Sequence, residues 1–325
     1  MASTTCVAGI DLGGTKLRIA LVTPRGRIAA AGTWPTDTHG GPDAVVAQMA
    51  AGVRDMRQRA GIVAEDLKAA GAGAPGPLNI RTGVTSTLPN LPGWEDYPLR
   101  ERLSAALACP VALGNDANVA ALGEHRFGAG RGVKHMAMVT LGTGVGGGVV
   151  VDGRMLEGTL GAAGEIGHVV VQVGGRPCGC GRRGCLEAYA GGHGLERSAA
   201  ALLASDPRGP SSELGRQSVA AGGPTTRILG LAARAGDPLA LQVFDEATTH
   251  LAAGLVTLVH LFNPELVLIG GGLTALRDLY VDPACELART LVFPLHARGL
   301  RFGYAALGEN MGALGAAALA LDMIG

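Results

Sequence analysis

One local pattern is written twice in this chain, and the repetition limits its folds more than any other feature. Residues 6–11 read as a strand, Leu12, Gly13, Gly14 and Thr15 as a glycine turn, and residues 17–22 as a second strand. The same order returns at residues 136–141, the glycine-rich 142–148, and 149–151 before Asp152 and Gly153. Two similar hairpins predict two related domains. The chain has 325 residues, beyond the size at which one hydrophobic core stops growing, so two domains of about 150 residues each are expected on length alone.

The segments between the hairpins supply helices. An amphipathic stretch covers 42–60, a turn-rich segment 71–77, a buried strand 111–114 and a helix 117–127. Farther on, residues 205–226 are rich in Pro, Gly and Ser and read as a surface loop. A long apolar helix covers 238–262 and is stopped by Asn263 and Pro264. A strand at 265–269 runs into Gly270, Gly271 and Gly272, and a helix of small residues, 312–324, closes the chain. Strands alternating with helices indicate an α/β architecture.

Charge excludes some partners. Twenty-seven basic residues balance 27 acidic ones, which gives no electrostatic footprint for nucleic acid or an anionic membrane. No apolar run approaches the roughly 18 residues that span a bilayer, and the opening residues lack the basic and apolar regions of a signal peptide. A cytoplasmic protein with a small neutral or phosphorylated ligand is expected. Cys6, Cys109 and Cys285 lie among apolar neighbours and read as small buried hydrophobes.

The other three of the six cysteines crowd together as Cys178, Cys180 and Cys185, with His168 shortly before them. Three thiolates and an imidazole are ligands that tetrahedral zinc prefers, and four protein ligands leave no open position, so the zinc would be structural. The intervening glycines let the chain wrap tightly, because only Gly takes positive φ at no steric cost. A disulfide would strand one thiol and suits an oxidising compartment. Glu165 and Glu187 flank the knot. Carboxylates accept from two adjacent hydroxyls at once, which is how polyols are read. The bland alternative leaves both glutamates as outer supports of the metal or as surface groups.

Asp11 stands at a strand end before Gly13, Gly14, Thr15 and Lys16, whose backbone and side chains can donate to a phosphate. Thr143 and Gly144 in the second hairpin offer another set of amides. Two such loops would clamp a triphosphate, with Asp11 holding a hydrated magnesium. Gly142, Gly144 and Gly147 also fit a dinucleotide fingerprint, but that motif needs a helix after the glycines, whereas Val149, Val150 and Val151 continue a strand. Asn115 and Asp116 sit between a buried strand and a helix. One of them is expected to cap the helix, and Asp116 can act as a base on an alcohol attacking a γ-phosphoryl group.

These motifs together resemble the ROK family of sugar kinases (repressor, open reading frame, kinase), within the actin-like ATPase superfamily, and the resemblance runs over nearly the whole chain. It rests on residues 11–16, Asn115-Asp116-Ala117-Asn118, residues 141–144, Glu165 to His168, residues 178–187 and Gly270 to Gly272. The family implies an α/β, two-lobed, ribonuclease H-like fold with a central cleft and a structural zinc site. The N-terminal lobe would span 1–118, joined by the last helix at 311–325, and the second lobe 119–310. Asp116 would be the catalytic base. Asn90, Asn115, Asp116, Glu165, His168 and Glu187 would contact the sugar, His168 also ligating zinc with Cys178, Cys180 and Cys185. ATP would meet Asp11, Gly13, Gly14, Thr15, Lys16, Thr143, Gly144, Gly270, Gly271 and Gly272.

The resemblance implies ATP-dependent phosphorylation of a hexose 6-hydroxyl, glucose first, with N-acetylglucosamine, N-acetylmannosamine, mannose, fructose or allose as alternatives. Polyphosphate is disfavoured as donor, since relatives that use it lack the zinc cysteines. A homodimer or homotetramer is expected. Repressor relatives carry a winged helix before the kinase body, for which the residues ahead of Asp11 leave no room. A non-catalytic sugar sensor is the competing class, and retention of Asp11, Asp116 and both loops argues against it. An RNA-binding role for Arg176, Arg182 and Arg183 beside the knot is the remaining alternative.

Overall fold

The computed structural model describes residues 5–86, 91 and 93–325. In chain order it begins with β1 (Cys6–Leu12), β2 (Lys16–Val22), β3 (Ile28–Pro35), α1 (Gly41–Ala60), β4 (Leu67–Ala74), β5 (Leu78–Asn79), β6 (Val84–Thr85), α2 (Leu99–Leu107), β7 (Val111–Asn115) and α3 (Asp116–Phe127). There follow β8 (Met136–Leu141), β9 (Val145–Val151), β10 (Arg154–Met155), α4 (Glu187–Ala190), α5 (Gly192–Ser205), α6 (Glu213–Ala221), α7 (Thr226–Arg234) and α8 (Pro238–Phe262). The chain ends with β11 (Leu266–Gly270), α9 (Asp282–Leu291), α10 (Pro294–Ala297), β12 (Arg301–Tyr304) and α11 (Met311–Ile324). Two five-stranded sheets result, in the orders β3-β2-β1-β4-β7 and β10-β9-β8-β11-β12. The chain divides into two compact units, Met1–Met136 with Gly148–Gly164 and Tyr304–Gly325, and Ala137–Gly147 with Glu165–Gly303.

In the first unit β1 and β2 are apolar nearly throughout because both faces of their sheet are covered. Side chains alternate along a strand. Cys6, Ala8, Ile10 and Leu12 therefore join Met49, Val53 and Met56 of α1 and Leu103 of α2 on one face. Val7 joins Ala313, Leu314 and Ala317 of α11 on the other. Strand β1 pairs antiparallel with β2 and parallel with β4, which pairs parallel with β7.

Contact with α11 is backbone to backbone. A β-carbon at Gly9 of β1 would collide with the Ala313 carbonyl, and one at Gly71 of β4 with the Ala316 carbonyl. This corrects the expected turn at 71–77: residues 71–74 are buried strand, and Gly71 serves the close approach of a helix rather than a bend.

In the second unit α8 supplies Leu239, Val243, Phe244, Leu251, Leu255 and Leu258 to the core, and Asn263 ends it in the left-handed conformation. The expected surface loop at 205–226 contains α6. Ser212 caps it by accepting from the Gly215 amide, Leu214 is fully buried, and Gly222 closes it with positive φ. No helix among the described residues is long and apolar enough to cross a membrane.

Candidate functional site

In the first unit, Asp11 and Asp116 come from the ends of parallel strands. Asp11 is the penultimate residue of β1, and Asp116 opens α3 directly after β7. Asn115 is the helix cap: its Oδ1 accepts from the Ala117 amide at 3.0 Å and the Asn118 amide at 3.3 Å. The Ala117 amide also lies 2.8 Å from Asp116 Oδ1. The cap holds the first turn rigid, so the Asp116 carboxylate leaves the strand at a fixed angle.

Burial first, and the nearby Asp116 charge second, push the Asp11 carboxyl up to about 6, with Arg18 opposing. Two carboxylates that repel each other in this way suit a hydrated divalent cation, whose charge relieves the repulsion. Gly13, Gly14 and Thr15 form the turn between β1 and β2, and Lys16 opens β2 exposed to solvent. The turn is fixed by the Gly13 amide donating to the Lys16 carbonyl at 2.9 Å and by Thr36 Oγ1 donating to the Gly13 carbonyl at 2.8 Å.

In the second unit, Thr143 and Gly144 occupy the loop between β8 and β9, and Gly270 ends β11 with Gly271 and Gly272 directly after it. The two glycine segments meet: Gly271 has φ 91°, and a β-carbon there would collide with the Leu141 carbonyl. Glu187 is half-buried, and its Oε2 accepts from the Val145 amide at 3.1 Å. Glu165 is exposed just before the single-turn helix Ile166–His168.

His168, Cys178, Cys180 and Cys185 place one ligand atom each within 4.8 Å of one another. Cys180 and Cys185 sulfurs are 3.7 Å apart, and Cys178 Sγ lies 3.8 Å from His168 Nδ1. Zn–S bonds of about 2.3 Å in a tetrahedron separate sulfurs by about 3.8 Å, so the donor set fits zinc and not a disulfide. All six cysteines are free.

Three residues escaped the sequence reading. Glu124, fully buried in α3, accepts from the Ala129 and Leu307 amides at 2.9 and 2.7 Å. Arg18 donates from Nε and Nη2 to Asn310 Oδ1 at 3.0 and 2.7 Å, ahead of α11. Thr36 holds the Gly13 turn. None carries a periodic signal, because each partner is supplied by the fold. Asn90 lies outside the described residues. Arg176, weighed as an RNA contact, is engaged within the protein: it donates to Glu246 Oε2 at 2.7 Å and lies over the Tyr189 ring.

The two-sheet α/β architecture is that of the actin-like ATPases. Residues 7–323 match the ROK family profile, and the chain belongs to the ROK family, as its motifs led us to expect. A glucokinase of Halalkalibacterium halodurans is 37% identical over 308 residues, which cover 94% of this chain and 92% of that protein. The crystal structure of a ROK hexokinase from Thermus thermophilus matches with a TM-score of 0.81 and 36% identity, over 98% of this chain and 99% of its own. That of a ROK family glucokinase from Streptomyces griseus in complex with glucose and AMPPNP matches with a TM-score of 0.80 and 34% identity, over 98% of this chain and 99% of its own.

Proposed function

We propose that this protein is an ATP-dependent glucokinase, transferring the γ-phosphoryl group of ATP to the 6-hydroxyl of glucose. The observation that carries the reading is near full-length similarity to glucokinases, one of them solved with glucose and AMPPNP, joined to a capped strand–helix junction presenting Asp116. In this reading Asp116 accepts the proton of the sugar 6-hydroxyl as that oxygen attacks phosphorus, and ADP leaves. Asn90, Asn115, Glu165, His168 and Glu187 bond the remaining hydroxyls, their number and directions selecting the hexose.

Residues 13–16 with Thr143 and Gly144 present donors to the phosphates, and Gly270 to Gly272 leave room for the nucleoside. Asp11 orients the water shell of magnesium, which when bound neutralises charge on the phosphate oxygens. His168, Cys178, Cys180 and Cys185 hold zinc, whose contribution is to fix His168 and the chain around Glu187. The balanced charge and the absence of a membrane-spanning helix among the described residues support a cytoplasmic enzyme, and family membership supports a homodimer or homotetramer.

The test is ADP release by purified protein with Mg-ATP, comparing glucose with N-acetylglucosamine, N-acetylmannosamine, mannose, fructose and no sugar. Glucose is expected to give the highest kcat/KM. Preference for another hexose would retain the kinase and replace the substrate. No sugar-stimulated release from folded, zinc-loaded protein would overturn the enzyme in favour of a sensor.

A further inference from the structure

The loop between β8 and β9 is held by a segment far along the chain. Its carbonyls at Gly142 and Thr143 accept from the amides of Gly192 and His193, the first two residues of α5, at 2.9 and 3.0 Å. The amide of Val145, which opens β9 directly after the loop, donates to Glu187 Oε2 at 3.1 Å. Within the loop, the Gly142 amide donates to the Gly144 carbonyl at 3.0 Å. The Thr143 and Gly144 amides stand outside this set of bonds. Gly144 is pressed so closely on Glu187 that a β-carbon there would collide with the Glu187 carboxylate. A carboxylate accepting from a backbone amide makes a charge-assisted bond, stronger than a neutral one.

We infer that Glu187 is a positioning residue for the phosphate loop: its carboxylate fixes the Val145 end while α5 fixes the Gly142 end, so that the Thr143 and Gly144 amides are preset for a nucleotide phosphate. The inference rests on the kinase reading, in which the same side chain also meets the sugar. One carboxylate serving both makes the two ligands communicate, and such coupling is reciprocal in binding free energy. A disturbance on the loop side must then be felt by the sugar, and one at Glu187 must be felt by the nucleotide.

Two binding measurements by calorimetry separate this from a purely sugar-contacting Glu187. Mg-AMPPNP is titrated without sugar into wild type, Glu187→Ala and Glu187→Gln, each checked for zinc content and thermal midpoint. Glu187→Ala is expected to weaken nucleotide binding about tenfold, and Glu187→Gln, which keeps an acceptor oxygen, by no more than about threefold. In the converse titration glucose is added without nucleotide to Gly144→Ala. Its added methyl displaces the Glu187 carboxylate, and glucose affinity is expected to fall about tenfold although residue 144 has no place among the sugar contacts. Unchanged AMPPNP affinity in folded Glu187→Ala, or unchanged glucose affinity in folded Gly144→Ala, overturns the inference. Failure of wild type to bind AMPPNP at all strikes instead at the kinase reading beneath it.

Discussion

The carboxylate of Asp11 fills the space that a β-carbon at Gly312 would need, so at the end of β1 the Asp11 side chain packs directly on the backbone of the first turn of α11. Alanine is intrinsically better than glycine inside a helix by about 1 kcal/mol. At position 312 that gain is opposed by collision with Asp11. Gly312→Ala is expected to fold, to displace the carboxylate, and to lower kcat/KM for Mg-ATP at least about tenfold. Steady-state kinetics at varied Mg-ATP check this, and unaltered kinetics would show that the position of Asp11 is immaterial to nucleotide use.

Asp11 also ties stability to pH. Its carboxyl is held at about 6 against an ordinary value of 3.8, by burial and then by the Asp116 charge. The folded form therefore binds the proton more tightly than the unfolded form. The associated stability is fully present below pH 4 and is lost as pH rises through 6. Asp11→Asn removes the buried charge, so without added magnesium the variant should exceed wild type in stability at pH 8, by about 3 kcal/mol at most, with the advantage gone near pH 4. Urea denaturation at the two pH values is the measurement. A variant less stable than wild type at pH 8 would contradict the assignment.

Asp116→Asn keeps shape and removes the base. Turnover is expected to fall about 10²–10⁴-fold, with glucose affinity and thermal midpoint close to wild type. Near-normal turnover in a zinc-loaded preparation would remove Asp116 from the proton-transfer step.

Cys180→Ser takes one thiolate from the knot. Bound zinc should fall well below one per chain, and the glucose KM should rise about 10- to 100-fold, because zinc orients His168 and the chain around Glu187. Metal analysis and kinetics on the same preparation test the pairing. Zinc lost with glucose KM unmoved would disconnect knot from substrate.

Glu124 is the buried anchor of the first unit. Glu124→Ala leaves the Ala129 and Leu307 amides without their acceptor, and a loss of about 2–4 kcal/mol in urea denaturation is expected. Glu124→Gln, which retains one acceptor oxygen, should recover part of it. Equal stability of Glu124→Ala and wild type would mean the two amides find other partners.

The parts legible from sequence were those written in adjacent residues. Asn115 and Asp116 declare a capped helix start because a cap needs only a polar side chain next to the first turn. The knot declares itself because Cys178, Cys180 and Cys185 share one loop. What stayed hidden depends on partners brought from afar. Gly71 reads as part of a turn because nothing near it in sequence reveals that α11 lies against β4. The α6 helix was masked by surrounding Pro, Gly and Ser, its order coming from the Ser212 cap and the buried Leu214. Glu187 was legible as a polar group beside the knot, but its bond to Val145 was not, since the two lie on opposite sides of the knot in sequence.

The seam between α11 and the first sheet has a consequence in time. Gly9, Gly71 and Gly315 allow the last helix to lie directly on β1, β4 and α3. A ribosome adding about 5–20 residues per second releases α3 some 10–40 s before Met311–Ile324 is made. Throughout that interval Val7, Ala20 and Ala69 lack Ala313, Leu314 and Ala317, their partners from the last helix. The first unit keeps that apolar face open until the helix that covers it has been made.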